Sequence, residues 1–380
     1  MSQPAKGYSL LAVAIVLSAI SIAVVIYGPY SVSGQIAAVQ PWNPRKVPAD
    51  AVFLGDAACG ECHKKFVASH GRSGMALAME PVASSKVLTE NPRLTMRVGP
   101  YTYEVKRADK QSSYTVTDGK ETISLPIVYA FGQGKMGQTY VFQRDGKFYE
   151  SLVSFYNGPK ALDFTIGHPR TVPRSLTDAV GRLLSEEEVA NCFGCHATGA
   201  VTGSQLRLDK FAHGVRCEAC HGPGGAHVSA IKEGESGGKL IFNPGRLSGD
   251  ELTQKFCASC HRGTGDEISL LNSAEINNVR FQPYRIFHSK CYSDDRNISC
   301  NACHNPHEPL KEDAAYYDGK CLACHSLKGH PAKTGAATNC PVANKDCTSC
   351  HMPKVEVKEA HFKFTDHYIR VAKPGEKLSK

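Results

Sequence analysis

The reading of this chain turns on the stretch that opens with Cys192-Phe-Gly-Cys195-His196 and closes with Cys347-Thr-Ser-Cys350-His351. Between these two copies of Cys-x-x-Cys-His lie four more: Cys217-Glu-Ala-Cys220-His221, Cys257-Ala-Ser-Cys260-His261, Cys300-Asn-Ala-Cys303-His304 and Cys321-Leu-Ala-Cys324-His325. A seventh, Cys59-Gly-Glu-Cys62-His63, stands apart near the front. The spacing is the covalent attachment signature of c-type haem. Two thiols close thioethers on the haem vinyl groups, and the histidine that follows becomes an axial ligand of the iron. Zinc ribbons and redox dithiols share the Cys-x-x-Cys but do not require that histidine, and all seven copies have it. Seven covalently attached haems c are therefore expected, filling much of the interior in place of apolar side chains.

Composition is consistent with this once the cofactors are counted. A chain of 380 residues suggests two or three domains. Seven haems leave little room for regular sheets or a conventional apolar core, so the haem-rich part is expected as short helices and long loops. The formal charge of +8 would suit a nucleic-acid partner. Two propionates per haem offset it, so no nucleic-acid partner is expected. Arg216, Arg262 and Lys320, beside attachment motifs, are expected to pair with propionates rather than phosphates.

Leu10 to Tyr27 form an apolar run interrupted only by Ser18 and Ser21, long enough to span a bilayer. Ser31-Val32-Ser33 before Gly34 is a passable cleavage site, yet the length of the run favours an uncleaved anchor over residues 1–30. Tyr27, Tyr30 and, less clearly, Trp42 suit an interfacial belt. Because c-type haem is attached outside the cytoplasm, the chain after residue 30 is expected in the periplasm or extracytoplasmic space. Residues 31–50, with Pro41, Pro44 and Pro48, read as an extended spacer.

Residues 51–93 form a first haem segment containing His70, Met75 and Met79. The character then changes. From about Leu94 to Tyr156 there are no cysteines, and alternating segments such as Tyr101, Tyr103, Val105 flank the turns Asp118-Gly119 and Asp145-Gly146. That pattern predicts an antiparallel module of roughly five strands over residues 94–160, with Gly132 to Gly137 as a loop between strands. Thr177 is a candidate helix cap, and Ser185 to Glu188 resembles a capping box leading into the second motif. Residues 161–370 hold the six-haem part, and 371–380 a basic tail. The expected fold is mostly irregular and short-helical, with an inserted antiparallel β module and an N-terminal transmembrane helix.

The haem-rich part resembles the cytochrome c554-like and doubled-CXXCH multihaem cytochromes. The resemblance rests on His213 to His227 with its Cys-Glu-Ala-Cys-His-Gly-Pro-Gly run, on Cys300 to His307, on Cys347 to Lys354, and on the ending Phe364-Thr-Asp-His367-Tyr-Ile-Arg370. It covers about residues 55–80 and 190–370. It implies that His227, His307 and His367 are distal axial ligands to neighbouring haems. Ligand supply points the same way. Of 16 histidines, seven belong to motifs, leaving nine for seven irons: His70, His168, His213, His227, His288, His307, His330, His361 and His367. His70, His361 and His330 rank next as distal ligands; His168, His213 and His288 rank lowest.

Three function classes follow. The first is a membrane-anchored electron carrier between a membrane donor, such as a respiratory complex, and an exported redox partner. The second is an oxidoreductase acting on nitrite, hydroxylamine or a similar molecule at one haem with an open axial position. The third is a haem-bearing structural subunit of a respiratory complex. No attachment motif replaces its histidine, which favours the carrier. Cys291 and Cys340 remain outside the motifs, either as one disulfide or as two buried thiols.

Overall fold

The computed structural model describes residues 42–265, 276–293, 298–325, 340, 342–373 and 376. The expected anchor, its cleavage site, Tyr27, Tyr30, His330 and most of the basic tail lie outside the described residues. Among the described residues no helix is long and apolar enough to cross a membrane.

Strands run from residue 79 to 183, a longer interval than the sequence pattern suggests. They are β1 (Met79–Glu80), β2 (Arg93–Val98), β3 (Tyr101–Ala108), β4 (Gln111–Thr117), β5 (Thr122–Pro126), β6 (Tyr129–Phe131), β7 (Gly137–Arg144), β8 (Lys147–Ser151), β9 (Val153–Tyr156), β10 (Ala161–Phe164) and β11 (Gly181–Leu183). One antiparallel sheet has the order β2-β3-β4-β5, and a second has β1-β6-β7-β8-β11 with β9 joining β7 to β10. Simple alternation identifies the longest strands. The short ones, β1 and β11, form only because they find partners on β6 and β8.

The turns follow from residue type. Asp145 and Gly146 both take positive φ (50° and 73°), the twist a two-residue hairpin needs between β7 and β8. Gly132 to Gly137 does connect two strands, β6 and β7.

The two sheets enclose a conventional apolar core. Tyr103 and Val105 of β3, Tyr114 and Val116 of β4 and Phe142 of β7 are almost fully buried, with Leu152, Val153 and Phe155 around them. Residues at alternate positions face the same side of a strand, so one face is apolar and the other carries Thr102, Lys106 and similar groups. A second cluster, Met79, Phe131, Val141, Val189 and Phe193, joins this module to the helix Glu186–His196. Met79 is thus apolar filler there.

That helix begins with the expected capping box. Ser185 Oγ accepts from Glu188 N–H at 3.2 Å, and the Glu188 carboxylate accepts from Ser185 N–H at 2.8 Å. The helix before it, Leu176–Val180, is capped by Ser175 rather than Thr177. Thr177 already lies inside its first turn, where its side chain cannot close the cap.

From residue 197 on the elements are mostly short helices and two-residue strands, with one 12-residue helix, Ala314–His325, and one hairpin of four-residue strands, Lys354–Val357 against Phe362–Thr365. The stretch after residue 41 is no free spacer. Trp42 Nε1 donates to the Ala219 carbonyl at 2.8 Å, and its ring packs edge-on to Phe53 and against Gly222. The ring is therefore committed to the third motif and not to a membrane interface. Arg45 reaches Asn191 and Cys195 of the second motif, each at 2.6 Å. The chain from residue 42 is a strap across two attachment sites.

Candidate haem sites

The attachment motifs lie on or at the ends of helices, from short ones such as Cys217–His221 and Cys347–His351 to the longer Glu186–His196 and Ala314–His325. His63 N–H donates to Cys59 C=O at 2.8 Å, and His304 N–H to Cys300 C=O at 2.9 Å. Positions i, i+3 and i+4 of a helix share a face. The turn thus aims two thiols and an imidazole at one porphyrin.

The rings of three pairs of distant histidines come together. The rings of His63 and His227 have centroids 6.4 Å apart and planes inclined by 21°. Those of His221 and His307 stand at 6.0 Å and 13°. His304 and His367 stand at 6.2 Å and 43°. An imidazole nitrogen sits about 2 Å from a first-row metal, with its ring centroid about 1 Å beyond, so two imidazoles on opposite faces of one iron have centroids about 6 Å apart. The spacing is too wide for direct ring contact and suits an iron between the rings. His227, His307 and His367 are thus the three spare histidines whose rings lie beside attachment-motif histidines.

Hydrogen bonds set the tautomers. Nδ1 of His196 faces the Ala78 carbonyl at 2.9 Å, that of His221 the Phe242 carbonyl at 2.9 Å, and that of His227 the Gly237 carbonyl at 2.9 Å. His351 faces the Arg370 carbonyl at 3.1 Å and His367 the Thr365 carbonyl at 3.0 Å, again through Nδ1. A carbonyl only accepts, so each of these Nδ1 atoms carries the proton and Nε2 keeps a lone pair for a metal. Burial reinforces this. Desolvation pushes the proton affinities of His196, His261 and His304 below the ordinary imidazole range, and that of His367 down to about 4. Neutral imidazole is the form that ligates.

The remaining histidines sit differently. His361 places Nε2 on the Asp163 carboxylate of β10 at 2.7 Å, with Tyr156 beside its ring. Gly158 lies under it so closely that a Cβ there would meet the His361 carbonyl at 2.7 Å. His70 is buried with Nε2 at 2.8 Å from the Val215 carbonyl and Nδ1 at 3.1 Å from that of Pro306. In this placement the nitrogens of His70 and His361 that would face a metal are engaged by oxygen. His168 bonds Glu150 at 3.0 Å, His213 packs on Phe211, and His288 lies among Tyr284, Phe287 and Tyr368.

The motifs touch one another in a connected set. The helix Asp56–Gly60 packs on Cys217–His221, Glu186–His196 on Ala258–His261, Glu251–Cys257 on Cys300–Cys303, and Ala314–His325 on Cys347–His351. The helix Cys300–Cys303 packs on Ala314–His325, linking the fifth motif to the sixth. The ring of His221 in the third motif lies beside that of His307, just after the fifth motif, which brings these two together. Among the described residues no three His, Cys, Asp or Glu side chains converge as a zinc site requires.

Several supporting residues carry signals that the motif search alone does not interpret. Glu218, inside the third motif, is buried and accepts from the backbone N–H groups of Leu54, Gly55 and Gly224 at 3.0, 2.7 and 2.8 Å. It ties the first motif's approach to the third motif. Arg216 lies near Asp56 at 3.6 Å and bonds the His213 carbonyl at 2.7 Å. Arg262 stands over Phe281 and Lys320 over Tyr316. Cys291 and Cys340 are free, exposed thiols, neither paired nor buried.

A helical turn carrying two thiols and an imidazole, repeated along the chain, is the arrangement of a multihaem c-type cytochrome, and two sequence matches support that class. Residues 173–222 match the family model described as cytochrome c554 and c-prime. A region of 196 residues is 24% identical to the multihaem cytochrome MtrA of Shewanella baltica, covering 44% of this chain and 50% of that one. The chain spans about half the length of that curated relative. The crystal structure of outer cell wall cytochrome OcwA aligns over 84% of this chain and 79% of its own, with a TM-score of 0.48 and 14% identity. The chain is a multihaem c-type cytochrome.

Proposed function

We propose that the protein is an extracytoplasmic seven-haem electron carrier, held to the membrane by residues 10–27, that passes electrons between a membrane donor and an exported redox partner. The observation that carries the reading is the set of three histidine pairs 6.0–6.4 Å apart, each joining an attachment motif to a distant segment. Haem supplies an iron that changes between ferric and ferrous. In each pair one imidazole, His227, His221 or His367, has its tautomer fixed by a backbone carbonyl, and the two rings together would hold the iron without a change of ligand between oxidation states. His63 with His227, His221 with His307 and His304 with His367 are the axial pairs. His196, His261, His325 and His351 are the proximal ligands of the other four. The touching motifs bring neighbouring haems close, as electron transfer along a series requires.

At the three paired sites two imidazoles would hold the iron and leave a substrate no place there, which favours transfer over catalysis on nitrite or hydroxylamine at those sites. The test combines intact mass with electron paramagnetic resonance of the oxidised holoprotein. The expected outcome is a mass increase of seven haems, with ferric signals dominated by low-spin species. Fewer haems would correct the count. Stoichiometric binding of carbon monoxide at one haem, with turnover of nitrite or hydroxylamine, would replace the carrier with an enzyme.

A further inference from the structure

The segment 365–370 is pinned by an ion-pair cluster in the interior. Arg285, on the helix Gln282–Phe287, and Asp366 are both fully buried. The guanidinium grips the carboxylate through two parallel bonds, Nε to Oδ1 and Nη2 to Oδ2, each 2.8 Å. Arg370 adds a third contact from Nη1 to Asp366 Oδ2 at 2.9 Å and donates to the Tyr368 carbonyl at 3.0 Å. The Tyr368 ring lies under both guanidiniums, 5.4 Å from that of Arg285 and 4.8 Å from that of Arg370. Ser289, just after the helix, completes the grip. Its hydroxyl donates to the His367 carbonyl at 3.2 Å and accepts from Ile369 N–H at 2.8 Å.

Two histidines of different sites hang on this one turn. His367 lies between the residues held by Arg285 and Ser289, its ring 6.2 Å from that of His304. The Arg370 carbonyl receives the Nδ1 proton of His351, 3.1 Å away, and Arg370 N–H returns a bond to the His351 carbonyl, also at 3.1 Å. Such a bond to the far nitrogen of a ligating imidazole fixes its orientation and raises its basicity, which tunes the metal. The Arg–carboxylate fork is planar and fixed in direction, so it sets an angle as well as a distance.

We propose that Arg285, Asp366 and Arg370 form a positioning device shared by two haems, which sets His367 opposite His304 and fixes His351 through the Arg370 carbonyl. This rests on the axial reading above. It predicts that a change at Asp366 reaches two haems, whereas removal of His367 reaches one.

The experiment compares His367→Ala, Asp366→Asn and Arg285→Lys in the full-length holoprotein, by electron paramagnetic resonance and spectroelectrochemical titration. His367→Ala is expected to turn one haem per protein high-spin, with added imidazole restoring the low-spin form. Asp366→Asn is expected to produce the same imidazole-reversible high-spin haem and also to shift the potential of a second haem. Arg285→Lys keeps the buried charge but loses the fork, and is expected to give a partial version of both changes. It serves as the readable variant if Asp366→Asn does not accumulate. An unchanged spectrum in His367→Ala would overturn the axial assignment and this proposal with it. A high-spin haem in His367→Ala, beside wholly low-spin Asp366→Asn and Arg285→Lys, would overturn the positioning role alone. Loss of one haem's low-spin form in Asp366→Asn or Arg285→Lys with no second potential moved would overturn the shared role.

Discussion

Two regions of this molecule are stabilised by different means. The strand module between residues 79 and 183 buries a continuous cluster of about twenty apolar and aromatic side chains between its sheets. In the part from 201 to 373 the one apolar cluster among the described residues is Val279, Val357 and Ala360, while its buried groups include Arg285, Asp318 and Asp366. Its attachment turns carry cysteine and histidine where a helical domain of the same size would present leucine. Apolar burial near 25 cal/mol per Å² can sustain the first region alone. The second needs porphyrin faces for its core and axial bonds for its cross-links. The comparison implies that covalently bound haem would serve the second region as a structural member, which the first region does not need.

The largest effect expected from this contrast follows blocking haem attachment. In a chain produced without cytochrome maturation, segments 201–373 should lose amide-exchange protection and become sensitive to protease, while β3, β4 and β7 keep theirs. Equal protection in both regions would erase the distinction. Next in size is a cavity in the strand core. Phe142 is fully buried, stacked on Tyr114 at 5.4 Å and on Tyr149 at 6.0 Å. Phe142→Ala should cost about 3–5 kcal/mol in denaturant unfolding of the module. The low-spin haem spectrum should stay unaltered at low denaturant; coincident loss of both would show one cooperative unit.

The smallest effect sharpens the seam between the regions. The Ser185 backbone N–H and the Arg182 guanidinium hold the Glu188 carboxyl down to about 2. A carboxyl depressed in the folded state adds stability that is fully present above its ordinary value of 4.5 and is lost as the pH falls towards 2. Glu188→Gln should therefore remove about 1 kcal/mol or less at neutral pH and flatten the acid limb between those values. Unfolding curves taken across that range check it, and an unchanged slope would mean the capping box is idle.

Sequence periodicity located the strand module because buried alternate positions such as Tyr101, Tyr103 and Val105 must be apolar whatever they pack against. It undercounted the strands, since two-residue pieces such as Met79–Glu80 carry no period and exist only through Phe131 and Ala130 opposite them. The spare histidines whose rings lie beside attachment-motif histidines, His227, His307 and His367, were legible from motif resemblance. His361 was not, because nothing local shows that Asp163, far away in sequence, will take its Nε2. Trp42 beside a run of prolines read as a spacer or belt residue. Its partner, the Ala219 carbonyl, is a backbone atom that no sequence pattern announces.

By itself the sequence pointed to covalently bound haem c and to its expected points of attachment. Covalent chemistry needs fixed residue types at fixed spacing, and Cys-x-x-Cys-His states both within five residues. Which histidine faces which, and what holds it there, was decided only by tertiary structure. His304 meets His367, and Arg285 meets Asp366, across long stretches of chain. Such pairings depend on distances through space, set by the packing of whole segments, and leave no local trace in composition or period.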